Sequence, residues 1–362
     1  MRRSLVKCVS DAVLAPLSHV YRAIVVLRNW AFDSHILPQE SFDVPVIVVG
    51  NLNVGGTGKT PHTEYIVEAL SHEYHVGVLS RGYKRKTSGF VLASSKLTPG
   101  DLGDEAYQVY RKFGSLVTLA VCESRRKGIR EMLRLDPGLD VVVLDDAFQH
   151  RYVKPKVSVL LIDYSHPVGD DKMLPWGTLR EPASAVMRAD IVVVTKCPRS
   201  LKPMDLNLIK ARLDLFPSQQ IFFSSVQYYN LMPVFPEMAQ GAPSLKQLGP
   251  NDAILIVTGI ANHISFVRFL RAFKTALRVI HFGDHHSFSR GDFNVIKKQF
   301  DSLSGNRKLI ITTEKDAVRM ATNPYFPHEL KSSAFYVPIK VSFDRPVAGQ
   351  DFMGALKKLM LE

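Results

Sequence analysis

The chain has 362 residues, 46% of them hydrophobic and 9% aromatic, an ordinary globular composition with enough apolar material for two cores. A net charge of +12 predicts an anionic partner, whether nucleotide phosphate, nucleic acid or an acidic membrane surface, and does not choose among them. The cysteines Cys8, Cys122 and Cys197 are far apart and odd in number, which excludes a disulfide framework and a zinc cluster and predicts a reducing compartment.

Near the start, Val13, Leu17, Val20, Ile24 and Leu27 recur at steps of four and three and predict one apolar helical stripe. Arg2, Arg3, Lys7, Arg22 and Arg28 accompany it against the single acid Asp11. That pattern suits a helix lying in an anionic interface, with a core-packed helix as the alternative. His19, Arg22 and Pro16 interrupt the run, so it does not span a bilayer, and no small-residue cleavage site follows it. Pro16 is expected to kink the helix or mark its start.

Further on, apolar runs at 44–50, 75–80, 116–122, 140–144, 157–163 and 190–195 alternate too little for half-exposed strands and suit buried parallel ones. Helical patterns at 60–72, 104–113 and 124–135 lie between them, predicting a doubly wound, mostly parallel α/β sheet. A Pro- and Gly-rich stretch at 226–252 reads as a linker. Strand-like runs at 253–258, 277–282 and 308–312 and helix-like ones at 264–275, 291–303 and 347–361 follow. The expected division is a docking segment at 1–40, a nucleotide-binding domain at 41–225, a linker at 226–252 and a smaller α/β domain at 253–362.

Between the first strand and the first interior helix stands NVGGTGKT at 53–60, a phosphate-binding loop in its proper strand–loop–helix context. Asn53, Val54, Gly55, Gly56, Thr57 and Gly58 form the loop, Lys59 is placed to reach terminal phosphates, and the Thr60 hydroxyl to hold Mg²⁺. The strict motif has Gly where Asn53 stands, and Asn tolerates positive φ better than most residues. The run DVVVLDD at 140–146 sets Asp145 and Asp146 at a strand end, where a second element of such a site approaches the metal. Gln149, His150 and Arg151 follow at the same edge.

Ligands in open α/β sheets sit beyond the carboxyl ends of the strands. Arg81, Gly82, Tyr83, Glu123, Arg125, Arg126 and the triplet Gly103-Asp104-Glu105 all fall there. An acceptor hydroxyl loses its proton during phosphoryl transfer, so Asp104 is a candidate base, with helix capping as its alternative role. In the second half, FGDHHSF at 282–288 and TTEKDAVR at 312–319 concentrate charge without a recognisable metal-ligand spacing.

Taken in order, GNLNVGGTGKTP, SRGY, GDE, LDDAFQH, LREP, TGIAN, DHH and TEKD resemble the tetraacyldisaccharide 4'-kinase family of lipid A biosynthesis over nearly the whole chain. In that family too the loop lacks the Gly replaced here by Asn53, and Ala147 stands where it usually has Gly. The resemblance implies transfer of the ATP γ-phosphoryl group to the 4'-hydroxyl of a tetraacylated glucosamine disaccharide 1-phosphate. It further implies Asp104 as base supported by His285, Lys59 and Thr60 on ATP and Mg²⁺, and Asp145 and Asp146 at the metal. Glu105, Arg125, His150, Arg180 and Glu181 fall on matching positions, Glu105 as a further metal ligand and Arg125 rather than Arg126 as the active-site arginine. Tyr83 and Gln149 join His150, Arg180 and Glu181 as expected substrate contacts. The expected partners are the lipid A precursor disaccharide and an anionic membrane surface, with no nucleic acid and no obligatory protein partner. The expected location is the cytoplasmic face of the bacterial inner membrane, held peripherally. Two competing readings are a membrane-docked nucleotide switch and a kinase of a soluble metabolite. Thr195-Lys196 resembles a guanine-reading motif, but Pro198 replaces its Asp, which argues against guanine selection.

Overall fold

The computed structural model describes residues 2–198, 200–239, 241–284, 286–343 and 351–362. Helix α1 (Arg2–Asp33) runs unbroken through Pro16, so the proline neither stops it nor marks its start. The stripe of Val13, Leu17, Val20, Ile24 and Leu27 faces solvent, each residue between 52% and 64% exposed. The helix docks through a different face. Trp176 Nε1 donates to Asp11 Oδ1 at 3.0 Å, Ser18 Oγ to the Met173 carbonyl at 2.8 Å and Tyr21 OH to the Arg180 carbonyl at 3.0 Å. Phe32 at its end is fully buried. The core-packed alternative therefore fails for the stripe itself. Among the described residues no helix is long and apolar enough to cross a membrane.

The first sheet is built from β1 (Val46–Asn51), β2 (Val76–Ser80), β3 (Val91–Leu92), β4 (Val117–Val121), β5 (Val141–Asp145), β6 (Val157–Asp163), β7 (Ile191–Thr195) and β8 (Gln220–Phe223). Its order is β3-β4-β2-β5-β1-β6-β7-β8, with every neighbouring pair parallel except β3 against β4. Strands β1, β2, β5, β6 and β7 are buried along their whole length, which is why their sequences are continuous Val/Ile/Leu runs rather than alternating ones. Helices α2 (Lys59–Leu70), α3 (Pro99–Leu102), α4 (Asp104–Phe113), α5 (Arg125–Leu135) and α6 (Pro203–Leu213) connect them. The chain passes from β1 toward β2 on one side and from β5 to β6 on the other. This reversal opens a crevice at the carboxyl end of β1.

The expected linker at 226–252 contains ordered pairing. Strand β9 (Ser225–Tyr228) pairs antiparallel with a strand near the other end of the chain, Ile339–Ser342, and β10 (Met232–Pro233) enters the second sheet. That sheet has the order β10-β14-β13-β11-β12 and is formed with β11 (Asp252–Thr258), β12 (Ala276–His281), β13 (Arg307–Thr313) and β14 (Ala334–Val337). Helices α7 (Ile264–Arg271), α8 (Arg290–Asp301) and α9 (Glu314–Ala321) pack on it, and the strand that pairs with β9 is β15. The expected domain at 253–362 also needs correction at its end. Helix α10 (Phe352–Leu361) buries Phe352, Met353, Leu356 and Met360 in the first domain's core, beside Ile47, Ile66 and Phe222. Its apolar residues match that core, so the chain crosses back through β15 to complete it.

Because Phe352 is 1% exposed and stacks on Phe343 with ring centroids 4.3 Å apart, Phe352→Ala is expected to destabilise the first domain by about 3–5 kcal/mol. Urea unfolding followed by circular dichroism measures this, and an unchanged midpoint would place α10 outside the cooperative unit.

Candidate active site

Gly58 caps α2 at φ 89°, a left-handed conformation that a side chain would strain. His62, buried one turn later, locks the junction by donating from Nδ1 to the Gly58 carbonyl at 2.7 Å and accepting at Nε2 from Ser224 Oγ at 2.8 Å. Burial lowers its pKa to about 4, so it is neutral, as that pair of bonds requires. A Cβ added at Gly55 or Gly56 would meet nothing within 4 Å. The loop therefore rims open space at the helix N-terminus, where backbone N–H groups and the helix dipole favour an anion.

The rest of the loop is braced from below. Asn51 Nδ2 donates to Thr57 Oγ1 at 2.9 Å, Thr195 Oγ1 donates to the Thr57 carbonyl at 2.9 Å, and Lys196 Nζ, also 2.6 Å from Asp163, donates to the Gly56 carbonyl. Asn53 is not at positive φ. It is buried, and its amide donates to Asp171 Oδ2 and Thr178 Oγ1, each at 3.1 Å. The reason for Asn there is thus side-chain bonding, not conformational freedom. Val54 and Thr57 already donate their N–H groups to the Thr178 and Gly55 carbonyls, and of the expected phosphate cradle Gly55 and Gly56 border the open space.

The two acids beyond β5 have opposite environments. Asp145 is 2% exposed and accepts from Thr63 Oγ1 at 2.9 Å. Burial first, then the charges of Glu105 and Asp146, push its pKa up to about 7. Asp146 turns out of the sheet at φ 46° and gathers two cations, Lys59 Nζ at 3.7 Å and Arg180 Nη1 at 3.1 Å. Lys59 also donates to Asn51 Oδ1 at 3.3 Å. Arg125 is 2% exposed and lies beneath this edge, donating to the Cys122 carbonyl at 2.9 Å, while its buried Nε has no partner among the described residues. Burial lowers its pKa to about 10. Arg126 instead lies over the Tyr152 ring, 5.0 Å from its centroid.

The start of α4 meets the second domain. Gly103 at φ 85° is the cap residue, and a Cβ there would strike the Tyr83 carbonyl at 2.7 Å. Asp104 follows as the first helical residue, so the capping alternative does not describe it. Arg319 Nε on α9 donates to Asp104 Oδ2 at 2.7 Å, and Lys315 Nζ lies 3.0 Å from Glu105 Oε1. Both partners come from TTEKDAVR, a segment whose alternating charges were visible in sequence but whose contacts, more than 200 residues distant, were not. His285 lies outside the described residues. Its neighbour His286 bonds Asp292 at 3.0 Å, a local role.

The expected substrate contacts divide. Tyr83 is 55% exposed beside Lys84 at the crevice rim. His150 is largely buried, and burial first, then Arg125 and Arg81, lower its pKa to about 4. Gln149 and Glu181 also brace the scaffold. Gln149 donates its amide to the Asn51 carbonyl at 2.8 Å and accepts Arg28 on its own carbonyl at 2.8 Å. Glu181 is 1% exposed and accepts at Oε2 from Arg188 at 2.5 Å and from Asn29 at 3.0 Å. Both tie α1 to the phosphate loop and its surroundings.

The family model for tetraacyldisaccharide-1-P 4'-kinase matches residues 10–357. The tetraacyldisaccharide 4'-kinase of Bacteroides thetaiotaomicron is 49% identical over 334 residues, 91% of this chain and 88% of the relative. That of Porphyromonas gingivalis is 39% identical over 336 residues, 91% of each chain. A crystal structure of LpxK from Aquifex aeolicus in complex with ATP superposes with a TM-score of 0.73 at 26% identity, over 96% of this chain and 98% of that one.

A carboxylate whose folded-state pKa is raised to about 7 binds more protons folded than unfolded between about pH 4 and 7, so its share of stability falls as pH rises through that window. Asp145→Asn, measured without nucleotide or metal, is therefore expected to raise the melting temperature at pH 8 and to lose that advantage below pH 5. An equal effect at both pH values would mean that Asp145 carries no buried charge.

Proposed function

Because the chain belongs to the tetraacyldisaccharide-1-P 4'-kinase family, we propose that its crevice transfers the γ-phosphoryl group of ATP to the 4'-hydroxyl of the acylated disaccharide 1-phosphate, with Asp104 accepting the hydroxyl proton. The observation that carries this reading is the junction where Lys59 and Arg180 converge on Asp146 beside the buried Asp145, under a loop open at Gly55 and Gly56.

The donor groups suit a triphosphate. The N-terminus of α2 and Lys59 receive its terminal phosphates, and Lys59 is held in reach by Asn51 and Asp146 rather than buried. Mg²⁺ fits the same place. Asp145, its pKa pushed up to about 7 by burial and by its acidic neighbours Glu105 and Asp146, belongs to a cluster of carboxylates that a cation would relieve, even with Lys59 and Arg180 beside Asp146. Thr60, Asp145 and Asp146 would hold the ion, with Glu105 at the edge, and most of its ligands would be phosphate oxygens and water. When bound, Mg²⁺ neutralises charge on the transferring phosphate.

In the reaction the acceptor oxygen forms a bond to the γ-phosphorus as the bond to the bridging oxygen breaks. The electron pair leaves on ADP, and the hydroxyl proton passes to the Asp104 carboxylate, with His285 as its support where the resemblance places it. Lys59 stabilises charge on the phosphates, and Arg125 contributes positive potential from beneath the acids. Phosphoryl transfer needs little covalent chemistry from protein groups, so positioning and charge account for most of the effect. Tyr83, His150 and Arg180 at the crevice rim are assigned to the disaccharide.

Helix α1 supports a membrane-docking role. A stripe of five large apolar side chains in water marks an interaction surface, and a lipid-linked acceptor requires the enzyme to reach an interface. The stripe would lie in the headgroup region of an anionic, cytoplasmic leaflet with its basic residues at the phosphates.

With labelled ATP and the lipid disaccharide, Lys59→Ala and Asp104→Ala are each expected to lower kcat by about 10²–10⁴. Label recovered only as free phosphate from the wild-type protein would sink the kinase reading. The triple variant L17Q/I24Q/L27Q, which leaves the docking face intact, is expected to lose most flotation with phosphatidylglycerol vesicles while activity on detergent-dispersed substrate persists. Undiminished flotation would remove the stripe from the docking surface.

A further inference from the structure

We propose that Arg319 is a positioning residue for phosphoryl transfer, holding Asp104 from across the domain boundary, with Lys315 doing the same for Glu105, so that the second domain completes the site. The inference rests on the reading of Asp104 as proton acceptor.

Arg319 is 8% exposed in its side chain and is fixed within its own domain before it reaches the first. Its Nη1 donates to Asp316 Oδ1 at 2.9 Å and to the Gly259 carbonyl at 3.3 Å. Asp316 is fully buried and is itself held at Oδ2 by the Gly259 N–H at 2.9 Å and the Thr313 hydroxyl at 2.7 Å. From the same guanidinium, Nε reaches Asp104 Oδ2 at 2.7 Å. A planar guanidinium gripped on one edge presents the other in one direction, so this chain of bonds fixes where Asp104 Oδ2 is held.

The pairing is also registered. Asp104 and Glu105 are consecutive at the first turn of α4, where the helix dipole favours acids. Arg319 and Lys315 are four residues apart on α9 and so share one helix face. Two acids at a helix start meet two cations on one stripe, which specifies a single docking of α9 against α4. An ordinary surface ion pair would contribute little, and it would not need an arginine this buried or an anchor as fully satisfied as Asp316. Asp104 itself retains 24% of its side-chain exposure, so holding it does not seal it from an acceptor.

The test uses the full-length protein with ATP and the lipid disaccharide, comparing wild type, R319M, R319K, D104N and R319M/D104N. R319M is expected to lower kcat by about 10–100-fold, the scale of a misplaced catalytic group, with KM for ATP within about twofold because the phosphate loop is untouched. R319K keeps the charge but loses the fork and is expected to recover part of that loss. In the D104N background R319M is expected to change nothing further, since a residue that acts through Asp104 has no effect once Asp104 cannot accept the proton. Should R319M fail to fold, R319K decides, and a wild-type kcat there overturns the inference. So do a loss in R319M confined to KM and a multiplicative loss in the double variant. A D104N enzyme of wild-type kcat would sink the base reading instead, leaving the two failures distinguishable.

Discussion

Asp145 is an acid buried at the carboxyl end of a parallel sheet, and its neighbours Glu105 and Asp146 add negative charge to a place already shielded from water. Burying a charge costs heavily unless something compensates it. Much of the surrounding arrangement follows from that cost. Thr63 donates a hydroxyl from α2, Lys59 adds its charge from the loop, and Asp146 turns away at positive φ to collect Lys59 and Arg180 for itself.

How far the sequence exposed this depended on the range of each interaction. Parallel strands buried on both faces announce themselves as apolar runs, and NVGGTGKT carries its own strand and helix, so the sheet and phosphate loop were legible from local pattern. Helix α10 was legible as a helix but not as part of the first domain, because an apolar face does not say which core will bury it. Strands β9 and β15 pair across more than 100 residues through short segments with no strong period. Gln149 and Glu181 lie on motif positions and yet serve the scaffold. Motif membership marks a constraint without distinguishing a residue that touches ligand from one that holds the loop that does. Arg319 and Lys315 were missed for the converse reason, since charges on an amphipathic helix read as solvated until their partners are known.

Helix α1 shows a division of labour that hydropathy alone would invert. Its apolar stripe faces outward, and its attachment to the protein is through Asp11, Ser18, Tyr21, Arg28 and Asn29, closed by Phe32. Directional hydrogen bonds fix the helix angle and depth against the 171–181 and 149–151 segments, where a purely apolar contact would allow sliding. The same segments contact the phosphate loop, since Asn53 bonds Asp171 and Thr178, Arg180 donates its N–H to the Leu52 carbonyl, and Gln149 bonds the Asn51 carbonyl. The outward stripe and the crevice are thereby held in one fixed relation.

That relation gives the two domains different duties. The first domain contains the stripe, the loop, Asp145 and Asp146, and all of these are rigidly connected through β1 and β5 and their loops. The second supplies Arg319 and Lys315 to the acids of α4 and is joined to the first by the β9–β15 ribbon as well as by that contact. A ribbon of two short strands is a compliant connection, whereas a buried arginine locked to Asp316 is a specific one. Movement of the second domain would therefore change what surrounds Asp104 and Glu105 without disturbing the phosphate loop. The phosphate loop and the setting of Asp104 are thus separable in this architecture, the first set within one domain and the second by the meeting of both.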